Sequence, residues 1–181
     1  MLLLDAPTQK GTIMTTSNDR LIQWLRDAHA MEEHAETMLS GQASRLENYP
    51  ELRQRIEQHI TETQNQAKRL QECLDRLGSD TSSMKDTAGK TTAMMQGIAG
   101  VFAGDEVVKG AMAGYTFEHF EISSYTALIA TAEEAGDQQT ASVCREILGE
   151  EEAMADWLKQ HLPSVTQAFL RREETNEPAK R

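Results

Sequence analysis

Three glutamates occupy positions where an amphipathic helix would carry an apolar residue. The first inward stripe reads Leu21, Leu25, Ala28, Glu32, Ala35, Leu39. Another reads Val108, Ala111, Tyr115, Glu118, Ile122, Tyr125, Ile129, and a last one Cys144, Leu148, Glu151, Ala155, Leu158, Leu162. Every step is three or four residues, so each set lies on one helix face. Glu62 stands at the edge of a fourth such face. An isolated buried carboxylate costs several kcal/mol, or it stays protonated. Several converging at one depth need positive charge, and the stripes carry no Lys or Arg. A divalent metal ion, or a pair of them, is the economical partner.

Oxygen ligands supplemented by imidazole suit hard or borderline divalent metals. Glu118 and Glu121 form an i, i+3 pair, as do His59 and Glu62, with His59 nearer the apolar face of Ile56, Thr63 and Leu70. The candidate ligands are therefore Glu32, His59, Glu62, Glu118, Glu121 and Glu151. Glu150 and Glu152 lie about 100° to either side of Glu151 and are expected to be solvated. Tyr115 and Tyr125 flank Glu118 on its stripe, where their hydroxyls could bond to ligand carboxylates. His29, His34, His119 and His161 read as edge or surface residues. Trp24, Trp157 and the methionines at 94, 95 and 112 read as packing residues. The Glu-x-x-His repeat of di-iron bundles is missing: the second helix offers His59-x-x-Glu62, and Met154 follows Glu151 at i+3.

Four elements must position these groups. The chain has 181 residues, four prolines, and abundant Ala, Glu, Gln, Leu and Met, which favours a single all-α domain. The first helix is expected to start near Ser17 or Asn18 and end near Glu47. The second runs from Pro50 to about Leu77, stopping at Gly78. Residues 79–104 read as a long connection with a short helix near Thr91–Phe102. The third helix runs from Asp105 to Glu134 and the fourth from Gln138 to Leu162, where Pro163 ends or kinks it. A short extra helix, Ser164–Arg172, follows. Short turns between the first and last pairs, with one long crossover between helices 2 and 3, define a ferritin-like four-helix bundle. The expected organisation is a disordered arm over 1–16 (with Met14 an alternative start), the bundle over 17–173, and a polar tail over 174–181. In an antiparallel bundle the helix midpoints share one layer, so the four central glutamates can meet.

Net charge is −11, which argues against nucleic acid and anionic membranes as partners and is compatible with binding cations. No apolar run approaches the ~20 residues that span a bilayer. The two cysteines, Cys73 and Cys144, form no CxxC motif and fit a reducing cytoplasm. There is no Gly-rich phosphate loop, nucleophile elbow or basic groove.

Four segments carry a family resemblance: WLRDAHAMEEHAETML (24–39), NYPELRQRIEQHITETQNQ (48–66), FAGDEVVKGAMAGYTFEHFEISSY (102–125) and ILGEEEAMADWLKQHL (147–162). The chain resembles the YciE/YciF family of bacterial ferritin-like proteins, the YciE members most closely, over about residues 18–175. The resemblance implies a ferritin-like bundle with a dinuclear metal centre, frequent dimers and a link to stress responses. It also implies that Glu32, Glu62, Glu118, Glu121 and Glu151 match acidic positions of the family pattern and His59 a family histidine. Where YciF-type members show Glu-Glu-Thr on helix two, this chain has Thr61-Glu62-Thr63, one acid fewer. The expected function is a stress-response protein with a dinuclear iron or manganese centre reacting with O2 or peroxide. The alternatives are a non-catalytic metal-binding protein and a structural stress protein with a degenerate site. A cytoplasmic homodimer is expected, with residues 93–104 packing across the bundle or forming the dimer face.

Overall fold

A computed structural model describes residues 15–79 and 106–179. Among these residues lie four long helices and no strand: α1 Ser17–Ala43, α2 Pro50–Arg76, α3 Glu106–Glu134 and α4 Gln138–Glu174. No helix among them is long and apolar enough to cross a membrane. The expected arm, except Thr15 and Thr16, the expected connection 79–104, except Ser79, its short helix near Thr91–Phe102, and the expected helix start at Asp105 lie outside the described residues.

Local chemistry explains the boundaries. Thr16, one residue earlier than expected, caps α1: its hydroxyl accepts from the Asp19 amide while Asp19 accepts from the Thr16 amide, a capping box. Pro50 opens α2, where its missing N–H costs nothing. Gly78 and Gly136 follow α2 and α3 with φ of +68° and +76°, which glycine adopts without strain. The Asp137 side chain accepts from the Thr140 amide at the start of α4.

The helix pairs are antiparallel within each hairpin, and a second relationship follows from the contacts. Arg76, at the end of α2, bonds to Asp137 and Thr140 at the start of α4. At the opposite end, Arg45, just beyond α1, pairs with Glu106 at the start of α3. The segment 80–105 therefore joins points at opposite ends of the bundle, and α2 and α3 run parallel, as a ferritin-like crossover requires. Two apolar layers fill the interior. One contains Leu21, Leu25, Leu70, Leu74, Leu128 and Ile147. The other contains Leu39, Leu52, Ile56, Val107, Met154 and Leu158. Between them lies a layer of buried polar groups: Glu32, His59, Thr63, Gln66, Glu118, Glu121 and Glu151.

Two expectations are corrected. No separate C-terminal helix exists, because α4 continues through Pro163 to Glu174. Beyond the proline, Val165 and Phe169 are buried in the same apolar layer as Tyr49 and Leu52. Each such burial contributes roughly 1.5–3 kcal/mol, which together offset the ~3 kcal/mol that an interior proline costs. The stripe of α3 is also shifted. Val107, Gly114, Glu121 and Leu128 face the core, whereas Val108, Tyr115, Ile122 and Ile129 are only half-buried. Trp24 is more than a third exposed, with the Arg20 guanidinium 6.0 Å from its ring centroid, so it is not a core packing residue.

Candidate metal centre

Each helix delivers its share of the polar layer from its inward face. On α2 that face reads Leu52, Ile56, His59, Thr63, Gln66, Leu70, with three consecutive polar steps at mid-helix. On α3, Glu118, Glu121 and Tyr125 follow one another along the buried edge. Glu32 of α1 and Glu151 of α4 complete the layer, both fully buried.

His59, Glu118, Glu121 and Glu151 each present one ligand atom within 4.8 Å of the others. Ligand atoms ~2.0–2.6 Å from a common ion lie within about 5 Å of one another, so this spacing fits a single divalent cation. His59 Nε2 is 3.2 Å from Glu118 Oε2 and 3.4 Å from Glu151 Oε2. Its Nδ1 is 2.8 Å from Glu62 Oε2. Glu62 stands half-buried at the rim, where it also receives Arg55 and Gln58 at 3.1 and 2.8 Å. This arrangement accounts for the reversed His-x-x-Glu order. Glu62 orients the imidazole from outside, and Nε2 faces the carboxylates.

Glu32 sits beside the group rather than within it. The Tyr125 phenol donates to Glu32 Oε1, while Glu32 Oε2 has no partner among the described residues. Glu121 Oε1 likewise has none, and Glu118 Oε2 and Glu151 Oε2 make no well-directed hydrogen bond despite their nearness to His59. Buried carboxylate oxygens left this way are rare unless something else binds them. The donor set of one imidazole and several carboxylates fits a hard or borderline divalent ion. Glu32 supplies a further carboxylate toward a second ion. No second imidazole is present in the layer, and at i+3 from Glu151 the buried Met154 fills the space with a thioether.

The electrostatics follow from burial. Desolvation, then repulsion from Glu151, drives the Glu32 carboxyl well above its usual range, with the Tyr125 bond opposing. Desolvation and neighbouring carboxylates do the same to Glu121. Burial also raises Glu118, but His59 opposes it and leaves this group at about 7. Burial disfavours the charged form of His59, yet bonds to Glu118, Glu151 and Glu62 outweigh it and push the imidazole up to about 12. His59 in turn holds Glu62 at about 2. Without metal, protons on Glu32 and Glu121 and the imidazolium of His59 offset much of the layer's charge.

Gln66 escapes the sequence reading. It is fully buried, and its Nε2 donates to Glu150 Oε2 at 2.9 Å and to Glu151 Oε1. Its position three residues after Thr63 on the His59 stripe was the available signal. Glu150, expected to be solvated, is half-buried and paired with Arg69, whereas Glu152 is exposed. Tyr115 stays outside, edge-on to exposed His119 with ring centroids 4.6 Å apart. His29 Nδ1 lies 3.7 Å from Glu33 Oε2, too far for a hydrogen bond, the His34 ring bonds to the Ala30 carbonyl, and His161 stacks on Trp157.

The family described as a domain of unknown function, DUF892, matches residues 16–171. Protein YciF of Escherichia coli K12 is 28% identical over 151 residues, covering 77% of this chain and 86% of YciF. Among solved structures, a protein from Xanthomonas campestris pv. campestris is 45% identical with a TM-score of 0.75, covering 88% of this chain and 99% of that one. The structure of the E. coli stress protein YciF aligns with a TM-score of 0.72 at 24% identity, over 82% and 96% of the two chains.

Proposed function

The chain belongs to the YciE/YciF family, DUF892, and we propose that it is a cytoplasmic, homodimeric stress-response protein holding iron or manganese at its central carboxylate layer. The observation that carries this reading is the buried quartet His59, Glu118, Glu121 and Glu151, whose ligand atoms lie within 4.8 Å of one another. Carboxylate oxygens of Glu118, Glu121 and Glu151 in that quartet lack well-directed partners. Glu32, buried alongside with an unpartnered Oε2, extends the centre toward a second ion. The stress role is carried over from the description of the relative YciF.

A bound redox-active ion would supply electrons to O2 or peroxide there. The chain's own residues prepare the place. Glu62 holds the Nδ1 proton of His59, which directs Nε2 inward once that nitrogen has lost its own proton. Glu32, Glu118 and Glu121 release their protons as metal enters. The flanking layers of Leu25, Phe117, Ile147 and Ile56, Met154, Leu158 exclude bulk water.

One observation favours a second reading. The imidazolium of His59 already pairs with Glu118, Glu151 and Glu62, which is how a degenerate, purely structural site would balance its charge. Elemental analysis of purified protein reconstituted anaerobically with Fe(II), and separately with Mn(II), decides. One or two ions per chain, lost in Glu118→Gln and reduced in Glu32→Gln, support the metal centre. No stoichiometric metal under either condition leaves the structural reading, and the peroxide and O2 activities fall with it.

A further inference from the structure

Among the described residues, two chains of polar contacts lead out from the buried quartet. One passes from His59 to Glu62, whose carboxylate is engaged by Arg55, Gln58 and His59 together. A cation entering there would dislodge the group that orients His59. The other runs along the seam between α2 and α4, from Glu151 through Gln66 to Glu150, then to Arg69 and Glu146. It ends in solvent: the Glu146 side chain is 65% exposed and that of Glu150 35%. Its inner member is unusual. Gln66 is fully buried, its amide nitrogen spans the outer and inner carboxylates, and its Oε1 has no partner. Turning the amide over would bring Oε1 to the place between the two carboxylates that Nε2 now holds, as a neutral ligand suited to a hard cation in transit.

We propose that the α2–α4 seam is the route by which a divalent cation reaches the buried quartet. Glu146 and Glu150 form an outer cation station, Gln66 is the inner relay, and the Arg69 guanidinium occupies the station until a cation displaces it. The proposal rests on the metal-binding reading above. Its charge logic is specific. Glu150 attracts the incoming cation and Arg69 repels it, so removing each charge acts on the uptake rate in opposite directions. An ion pair that merely clasps the seam predicts the reverse for Glu150: breaking it from either side loosens the seam and speeds entry.

The test uses the full metal-free chain mixed rapidly with Mn(II), with uptake followed by loss of the free aqueous Mn(II) paramagnetic resonance signal. Glu150→Gln is expected to slow uptake about tenfold and Arg69→Gln to accelerate it about tenfold. Glu150→Asp, which keeps the charge, stays near the wild-type rate. All three reach wild-type stoichiometry, since none is a member of the quartet. Acceleration by both neutral variants, or no change in either, overturns the route and leaves the metal centre standing. So does slow uptake in Glu62→Gln with Glu150→Gln at the wild-type rate. A wild-type chain that never binds stoichiometric Mn(II) or Fe(II) overturns the centre itself, and the route with it.

Discussion

The Tyr125 phenol of α3 donates a hydrogen bond to Glu32 of α1 across a fully buried interface. It ties the two helices at the depth of the polar layer and is the sole hydrogen-bond partner found for the Glu32 carboxylate among the described residues. Tyr125→Phe is expected to destabilise the metal-free protein by about 1–3 kcal/mol, the cost of leaving a buried polar group unbonded. Urea unfolding at neutral pH measures this. Metal stoichiometry should be retained, because the phenol lies outside the quartet.

The metal-free protein should lose stability as pH rises. Glu32 and Glu121 hold protons well above the ordinary 4.5, Glu118 to about 7, and His59 to about 12 against 6.5 when unperturbed. From about pH 5 upward the unfolded chain binds fewer protons than the native one, so unfolding becomes easier. Glu62, held at about 2, acts in the other direction only below its ordinary 4.5. The expected result is a higher melting temperature at about pH 5.5 than at about pH 8.5. Glu121→Gln should flatten this dependence, since an amide carries no proton to lose.

Metal affinity should show the opposite trend. Ions compete with protons on Glu32, Glu118, Glu121 and His59 Nε2, so loading releases protons and apparent affinity rises with pH through about 7, where Glu118 titrates. Calorimetric titration with Mn(II) in two buffers of different ionisation enthalpy reads the number released. A value of zero would contradict protons on Glu32 and Glu121 in the metal-free protein.

The path of α4 through Pro163 gives a test of packing. Phe169→Ala should cost roughly 3 kcal/mol, toward the low end for a buried aromatic because the site lies near the bundle end. The same substitution should fray the helix after Pro163, seen as faster amide exchange over 164–174. Unchanged protection there would mean that something other than the Phe169 contact holds the segment helical.

Much of this was legible without coordinates. Helix number, most boundaries and the α1 stripe follow from three-and-four periodicity, the Pro50 start and the Gly78 and Gly136 stops, because these are local properties of the backbone. The acids at mid-helix were legible for the same reason. On α3 the periodicity was weak: from Gly110 to Ala132 its only Asp, Glu, Lys or Arg residues are Glu118 and Glu121, both buried, and its exposed face mixes Met112 and Phe120 with Thr116, Ser123 and Thr126, so its inner face could not be fixed from the pattern.

What only the tertiary structure decided is which polar groups meet. A stripe says that His59 and Glu62 lie near one another. It does not say that Nε2 turns toward Glu118 and Glu151 while Glu62 stays at the rim with Arg55. Gln66 looked like any polar residue of a Gln-rich helix until α4 brought Glu150 and Glu151 to its amide. Continuation past Pro163 depended on a pocket built by Tyr49 and Leu52, more than a hundred residues earlier in the chain. Local sequence sets which face a residue occupies. Partners, protonation and the survival of a helix past a proline depend on free energies of burial, which exist only once distant segments have packed.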